Sequence, residues 1–334
     1  MPLAGPSLPF LEIAAWAGNA PAVRALLACP RIVVGPKGIH PPALIRAVWR
    51  GDVEIVKILC EDERIDVNAE DGGAEDNRLL VTAAEYRHWE IVRYLLRRRD
   101  INVEVLCKSA KTVLYWAVED GNLDMVKLLV EEGGADDGRV DVNVADGARE
   151  TPVLHLAVRQ GDPEIVRCLL RRGDIHVDAR CPSDETALCW AAREGNLVIV
   201  RLLVEEGGAD INLSCGWIQY LDSILPPARG ENGGDFLLRT PLHFAAIRGH
   251  LSVVQFLVEC ERVDINARDV AGDTPLDHAV RHGDKKIVRV LKNNGAIDKR
   301  YAERRRIWGD VVVKIFGCFS RRVQKDAVVA GRIR

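Results

Sequence analysis

The chain has 334 residues, 48% of them hydrophobic and only 5% aromatic, which allows a sizeable core but argues against one large aromatic-packed globule. Its net charge of −3 is uneven: residues 299–334 carry eleven Lys/Arg against three acids, a surplus of +8, leaving the rest at −11. An acidic body argues against general nucleic-acid binding, and no run reaches the ~18 apolar residues of a membrane span. Met1-Pro2-Leu3-Ala4 lacks the charged start and apolar stretch of a signal peptide, so an intracellular, cytoplasmic or nuclear, protein is expected.

In chain order, one pattern recurs. An apolar-periodic run ends at a glycine or its substitute, and a second run begins at once: helix, tight turn, helix. The turn positions are Gly18, Gly51, Arg87, Gly121, Gly161, Gly195, Gly249 and Gly283, with spacings of 33, 36, 34, 40, 34, 54 and 34. Seven residues before each stands leucine, and four before it alanine; five after it stands valine, and eight after it leucine. Four fixed apolar slots in eight copies define a repeat protein. The first copy opens on Pro9-Phe10-Leu11-Glu12 and reads as an end cap, and Arg31–Pro41 after it carries the turn chemistry of a projecting hairpin. In the third, Arg87 replaces the turn glycine, which predicts a strained or more mobile turn. The fifth, Thr151-Pro152-Val153-Leu154-His155, is one residue longer than Thr240-Pro241-Leu242-His243 and predicts a shifted helix start.

Thr240-Pro241-Leu242-His243-Phe244-Ala245, the period near 33 and the closing Asp264-Ile265-Asn266-Ala267 resemble ankyrin repeats. The resemblance runs over about residues 8–298. It implies an all-α solenoid of helix-turn-helix units with projecting β-hairpin or loop fingers, and no named partner. Residues 1–298 then form one domain of eight repeats interrupted by an insertion at 213–238. The insertion pairs an amphipathic stretch, 216–225, with a Pro- and Gly-rich one, 226–235, that reads as functional or disordered. Residues 299–334 form a basic tail, in which Trp308, Val312, Ile315, Phe316 and Phe319 share one helical face. That helix reads as a cover for the open end of the stack. The alternatives are a helix docking on an anionic membrane or a partner, a nuclear-import patch, or a disordered tail.

No catalytic motif is present, and no enzyme activity or cofactor is expected. The nine cysteines are odd in number and lack C-x-x-C, which suits reduced thiols, several of them buried in helices. His278 and His282 stand four apart without an evident third ligand, so no metal site is expected. His155 and His243 fall in the slot that, by the resemblance, ties neighbouring units together.

What remains is a surface. Positions five, two and one before each turn share a face of the first helix and, by the resemblance, line the inner groove. Trp and Arg anchor interfaces. The candidate partner-binding residues are therefore Trp16, Arg46, Trp49, Arg50, Glu85, Tyr86, Trp116, Glu119, Asp120, Arg159, Trp190, Arg193, Phe244, Ile247, Arg248, Arg281 and His282. The alternative for Trp190 and Phe244 in particular is packing between neighbouring first helices. The expected function is a non-enzymatic adaptor for another protein, the alternative being a membrane-proximal scaffold held by the tail.

Overall fold

The computed structural model describes residues 10–32, 34, 42–68, 79–98, 101, 111–132, 140–143, 151–216 and 239–297. Most of the 31–41 hairpin, most of the insertion and the whole basic tail lie outside these residues.

Among the described residues the chain forms eight helix pairs. The first helices are α1 (Phe10–Trp16), α3 (Pro42–Arg50), α5 (Leu79–Glu85), α7 (Val113–Glu119), α9 (Val153–Gln160), α11 (Ala187–Glu194), α13 (Pro241–Arg248) and α15 (Pro275–His282). Their partners are α2 (Ala20–Leu27), α4 (Val53–Cys60), α6 (Trp89–Leu96), α8 (Leu123–Lys127), α10 (Pro163–Leu170), α12 (Leu197–Arg201), α14 (Leu251–Glu259) and α16 (Lys285–Asn293). Each first helix packs on the next along the chain, giving an inner layer, and the second helices back it. Helices of five to nine residues are too short to stand alone in water, so lateral packing supplies the stability.

Thirty of the 32 fixed slots are buried. The two exceptions, Leu26 and Val288, are half-buried and belong to the first and last pairs, where the stack lacks a neighbour on one side.

All eight turn positions have positive φ, Arg87 included at +62°. Arg87 carries a cost of about 1 kcal/mol that glycine avoids. Its guanidinium is 2.8 Å from Asp120 on the next unit, a contact no glycine makes.

The residue after each turn takes the N-cap position of the second helix, and in six of the eight pairs its side chain caps it. Asn19, Asp52, Asn122, Asp162, Asn196 and Asp284 each accept a backbone N–H at the helix start, which satisfies a donor the helix leaves open. Histidine takes this place twice, and neither ring caps. Instead each ring reaches back one unit, placing His88 Nε2 3.2 Å from Trp49 O and His250 Nε2 2.8 Å from Arg193 O. Local capping is exchanged for a tie between repeats.

Two departures follow from local sequence. Leu128–Glu132 and Leu202–Glu206, both Leu-Leu-Val-Glu-Glu, form the same π-turn at the end of their second helices. Cys189 and Cys215 are joined in a disulfide, which corrects the expectation that all cysteines are free. The Cys215 N–H donates to Arg239 O across an antiparallel bridge at the base of the insertion, and this holds Cys215 over α11. Among the described residues the fingers show isolated bridges, such as Arg180 with Thr186 and Cys215 with Arg239, and no strand.

Candidate functional site

The candidate residues lie on the inner layer, and their surroundings divide them. Trp16 on α1, Trp49 on α3 and Tyr86 just past the end of α5 are 54%, 40% and 52% exposed, three large rings in consecutive repeats. Their neighbours hold them in place. Arg46 lies 5.1 Å over the Trp16 ring and is ion-paired to buried Glu12, while Arg50 donates to Trp16 O. Tyr86 stacks on His88. Glu85 is exposed beside it.

Further along, Trp116 is half-buried beneath Lys111, whose Nζ is 4.4 Å from the ring centre, a cation–π contact. Glu119 accepts from Tyr115 Oη, and its carbonyl accepts from Gln160. Asp120 accepts Trp89 Nε1 at 3.0 Å and pairs with Arg87, so it joins repeats to each other. Arg159 is exposed and has no ion pair among the described residues. Half-buried Trp190 lies under Arg193, 4.1 Å away, and Arg193 pairs with buried Glu185. Phe244 departs from the exposed position expected of it: it is 9% exposed and clusters with Cys189 and Cys215. The residues leading into the insertion fold back over it. Ile247 is half-buried and Arg248 exposed; Arg281 pairs with buried Asp273, and His282 is exposed.

The histidine slot does tie neighbouring units. His155 Nε2 is 2.7 Å from Glu185 O, and His243 Nε2 is 3.1 Å from Asp273 O. A carbonyl only accepts, so both rings carry a proton on Nε2, and in the neutral form of either ring the lone pair is on Nδ1. His243 Nδ1 accepts from the N–H and hydroxyl of Thr240. Burial lowers the His243 pKa to about 4, with His278 also opposing the charge and Asp269 favouring it. The sign follows. The unfolded chain binds this proton below about pH 6.5 while the native one resists it, so stability is complete above that pH and lost on acidification. Urea titrations should show a loss of about 2 kcal/mol by pH 5 from this group. In His243→Gln that slope should flatten; an unchanged slope would contradict the assignment.

Asp269, Asp273 and His278, all buried, place one ligand atom each within 4.8 Å of one another. Sequence reasoning missed this cluster because Asp269 and Asp273 lie in a finger rather than on the helix. His278 Nε2 is 2.8 Å from Asp269, Arg239 is 3.6 Å from Asp269, and Arg281 pairs with Asp273. Two guanidiniums supply the positive charge that a cation would bring, so the cluster works as an ion-pair lock between finger and helix. Exposed His282 takes no part in these bonds.

A cavity of about 320 Å³ opens between α9, α11 and the Arg180–Thr186 finger, lined by His155, Arg159, Cys181, Ser183 and Trp190 among others. It too was invisible in the sequence, since its residues come from two repeats.

Helix pairs with fixed buried slots, glycine turns and histidine ties define a solenoid of short α-helical repeats. The chain belongs to the ankyrin-repeat family: the family model matches residues 44–141, 138–215 and 223–301. The repeat protein nuc-2 of Neurospora crassa is 25% identical over 288 residues, 84% of this chain and 24% of that one. Palmitoyltransferase AKR1 of Lachancea kluyveri is 27% identical over 217 residues, 64% of this chain and 26% of that one. The chain thus spans about a quarter of the length of these relatives. The solved ankyrin repeat domain of Bcl-3, an IkappaB family member, is 22% identical and superposes with a TM-score of 0.55 over 85% of this chain and 97% of that one. An ankyrin-repeat domain is in general a protein–protein interaction module without enzymatic activity of its own. No described helix is long and apolar enough to cross a membrane.

Proposed function

We propose that the chain is a non-enzymatic adaptor that holds a segment of another protein along its inner helix face and finger loops. The observation that carries this is the run of exposed Trp16, Trp49 and Tyr86 along the first three repeats, bordered by Arg46 and Arg50. Completing the burial of these half-exposed rings against a partner would contribute on the order of 1 kcal/mol each. Aromatic and arginine side chains are also the types that dominate interface energies. Glu85, Trp116, Arg159, Trp190, Ile247, Arg248 and His282 extend the same face toward the other end. Phe244, Asp120 and Arg193 serve mainly to hold it.

The double variant Trp16→Ala, Trp49→Ala is expected to lose the proteins that wild type captures from the native cell, with the helical circular dichroism of wild type. Both rings are exposed, so truncation should leave the core intact. Retention of the same captured proteins would sink the proposal, as would parallel loss of helicity and capture.

A further inference from the structure

Two fingers of this protein are built alike, 88 positions apart. In one, the Asp269 N–H donates to Asp273 O and the Gly272 N–H to Asp269 O; in the other, the Cys181 N–H donates to Glu185 O and the Asp184 N–H to Cys181 O. Arg193 pairs with Glu185 as Arg281 pairs with Asp273. Cys181 therefore occupies the seat of Asp269, whose carboxylate accepts the N–H groups of Ala271 and Asp273 at 3.0 Å each. A thiol stands in a place shaped for an anion.

The histidine beside it is unlike its counterpart. His155 corresponds to His243, but the extra residue at the start of α9 makes Pro152 the residue before the helix and leaves Thr151 out of register. The lone-pair nitrogen that Thr240 satisfies on His243 has no partner on His155, although the ring is only 5% exposed. That ring and half-buried Cys181 line the same cavity, with Ser183 Oγ 3.0 Å from Cys181 Sγ. The other charges facing the thiol are accounted for: Glu185 pairs with Arg193 and Asp184 with Arg180 at 2.8 Å, while Arg159 on α9 is unpaired among the described residues. Burial raises the thiol pKa, but the His155 ring, the Ser183 hydroxyl and the Glu185 N–H outweigh it and bring it to about 7.

We propose that Cys181 is a reactive thiol that takes up a small anionic disulfide by thiol–disulfide exchange, with His155 as its proton acceptor and Arg159 as the counter-charge for the incoming molecule. The thiol proton passes to His155 Nδ1, and Sγ attacks one sulfur of the disulfide. A Sγ–S bond forms as the original S–S bond breaks. The electron pair leaves on the second sulfur as a thiolate, which takes the proton from His155. Cys181 is oxidised and the departing sulfur is reduced. The adduct would lie against Trp190 and Arg159, yet the chemistry does not depend on any protein partner.

The test uses the full chain and glutathione disulfide, with adducts located by peptide mass mapping over pH 5.5–9.5 and exposed Cys29 as internal reference. At pH 7, a thiol of pKa about 7 holds about fifteenfold more thiolate than an ordinary one at about 8.5; its weaker nucleophilicity returns about fivefold of that. Cys181 is thus expected to react about threefold faster at pH 7 than a thiol of ordinary pKa, and faster than Cys29, its rate levelling off with a midpoint near pH 7. His155→Asn should raise that midpoint, and Arg159→Gln should shrink the preference for glutathione disulfide over uncharged hydroxyethyl disulfide. Cys29 matching Cys181 at pH 7, or a wild-type Cys181 midpoint above pH 8, would overturn the proposal without any variant having to fold.

Discussion

Leu203→Ala should cost about 2–5 kcal/mol of unfolding free energy, because it deletes a fully buried side chain from the middle of the stack and leaves a cavity. Leu203 fills the slot eight residues after Gly195 and lies inside the second π-turn. The same slot in the first pair is Leu26, which is only half-buried, so Leu26→Ala should cost on the order of 1 kcal/mol. Chemical denaturation followed by circular dichroism measures both. Because each unit leans on its neighbours, the central variant should also lower protection from amide exchange in the adjoining repeats. Equal losses at the two positions would mean that stability does not come from lateral stacking.

Gly195→Ala should cost about 3 kcal/mol, whereas Gly283→Ala should cost only about 1 kcal/mol. Both glycines have the same positive φ, near +75°, and both substitutions incur the same left-handed strain. Their surroundings differ. A Cβ on Gly195 runs into the His250 ring, while one on Gly283 meets nothing within 4 Å. Displacing His250 breaks its bond to Arg193 O as well. A double-mutant cycle with His250→Ala isolates this excess, since removing the ring removes the clash. If the two glycine variants are equally destabilised, His250 does not tie the repeats energetically.

The slots and turns were legible because every copy repeats them, so leucine at one position and positive φ at another are demands of the fold itself. The outward arrangement of Trp16, Trp49 and Tyr86 followed from the same register. Phe244 was misjudged because its cover, Cys215, arrives from an insertion that obeys no repeat. The Cys181 site was hidden for a related reason. A thiol in an aspartate's seat and a histidine robbed of its threonine each look like ordinary divergence, and they acquire meaning only when two units meet across 26 residues of chain. The π-turns escaped notice because Leu-Leu-Val-Glu-Glu suits an α-helix equally well.

The Cys215 to Arg239 bridge means that residues 217–238 depart and return at a single point, clamped there by the bond to Cys189. The closure entropy of that excursion depends only weakly on its length. What the neighbouring units share is the anchor at Cys215 and Arg239. This makes the spot a natural graft site, where evolution or an engineer can exchange one appendage for another while the solenoid keeps its pitch.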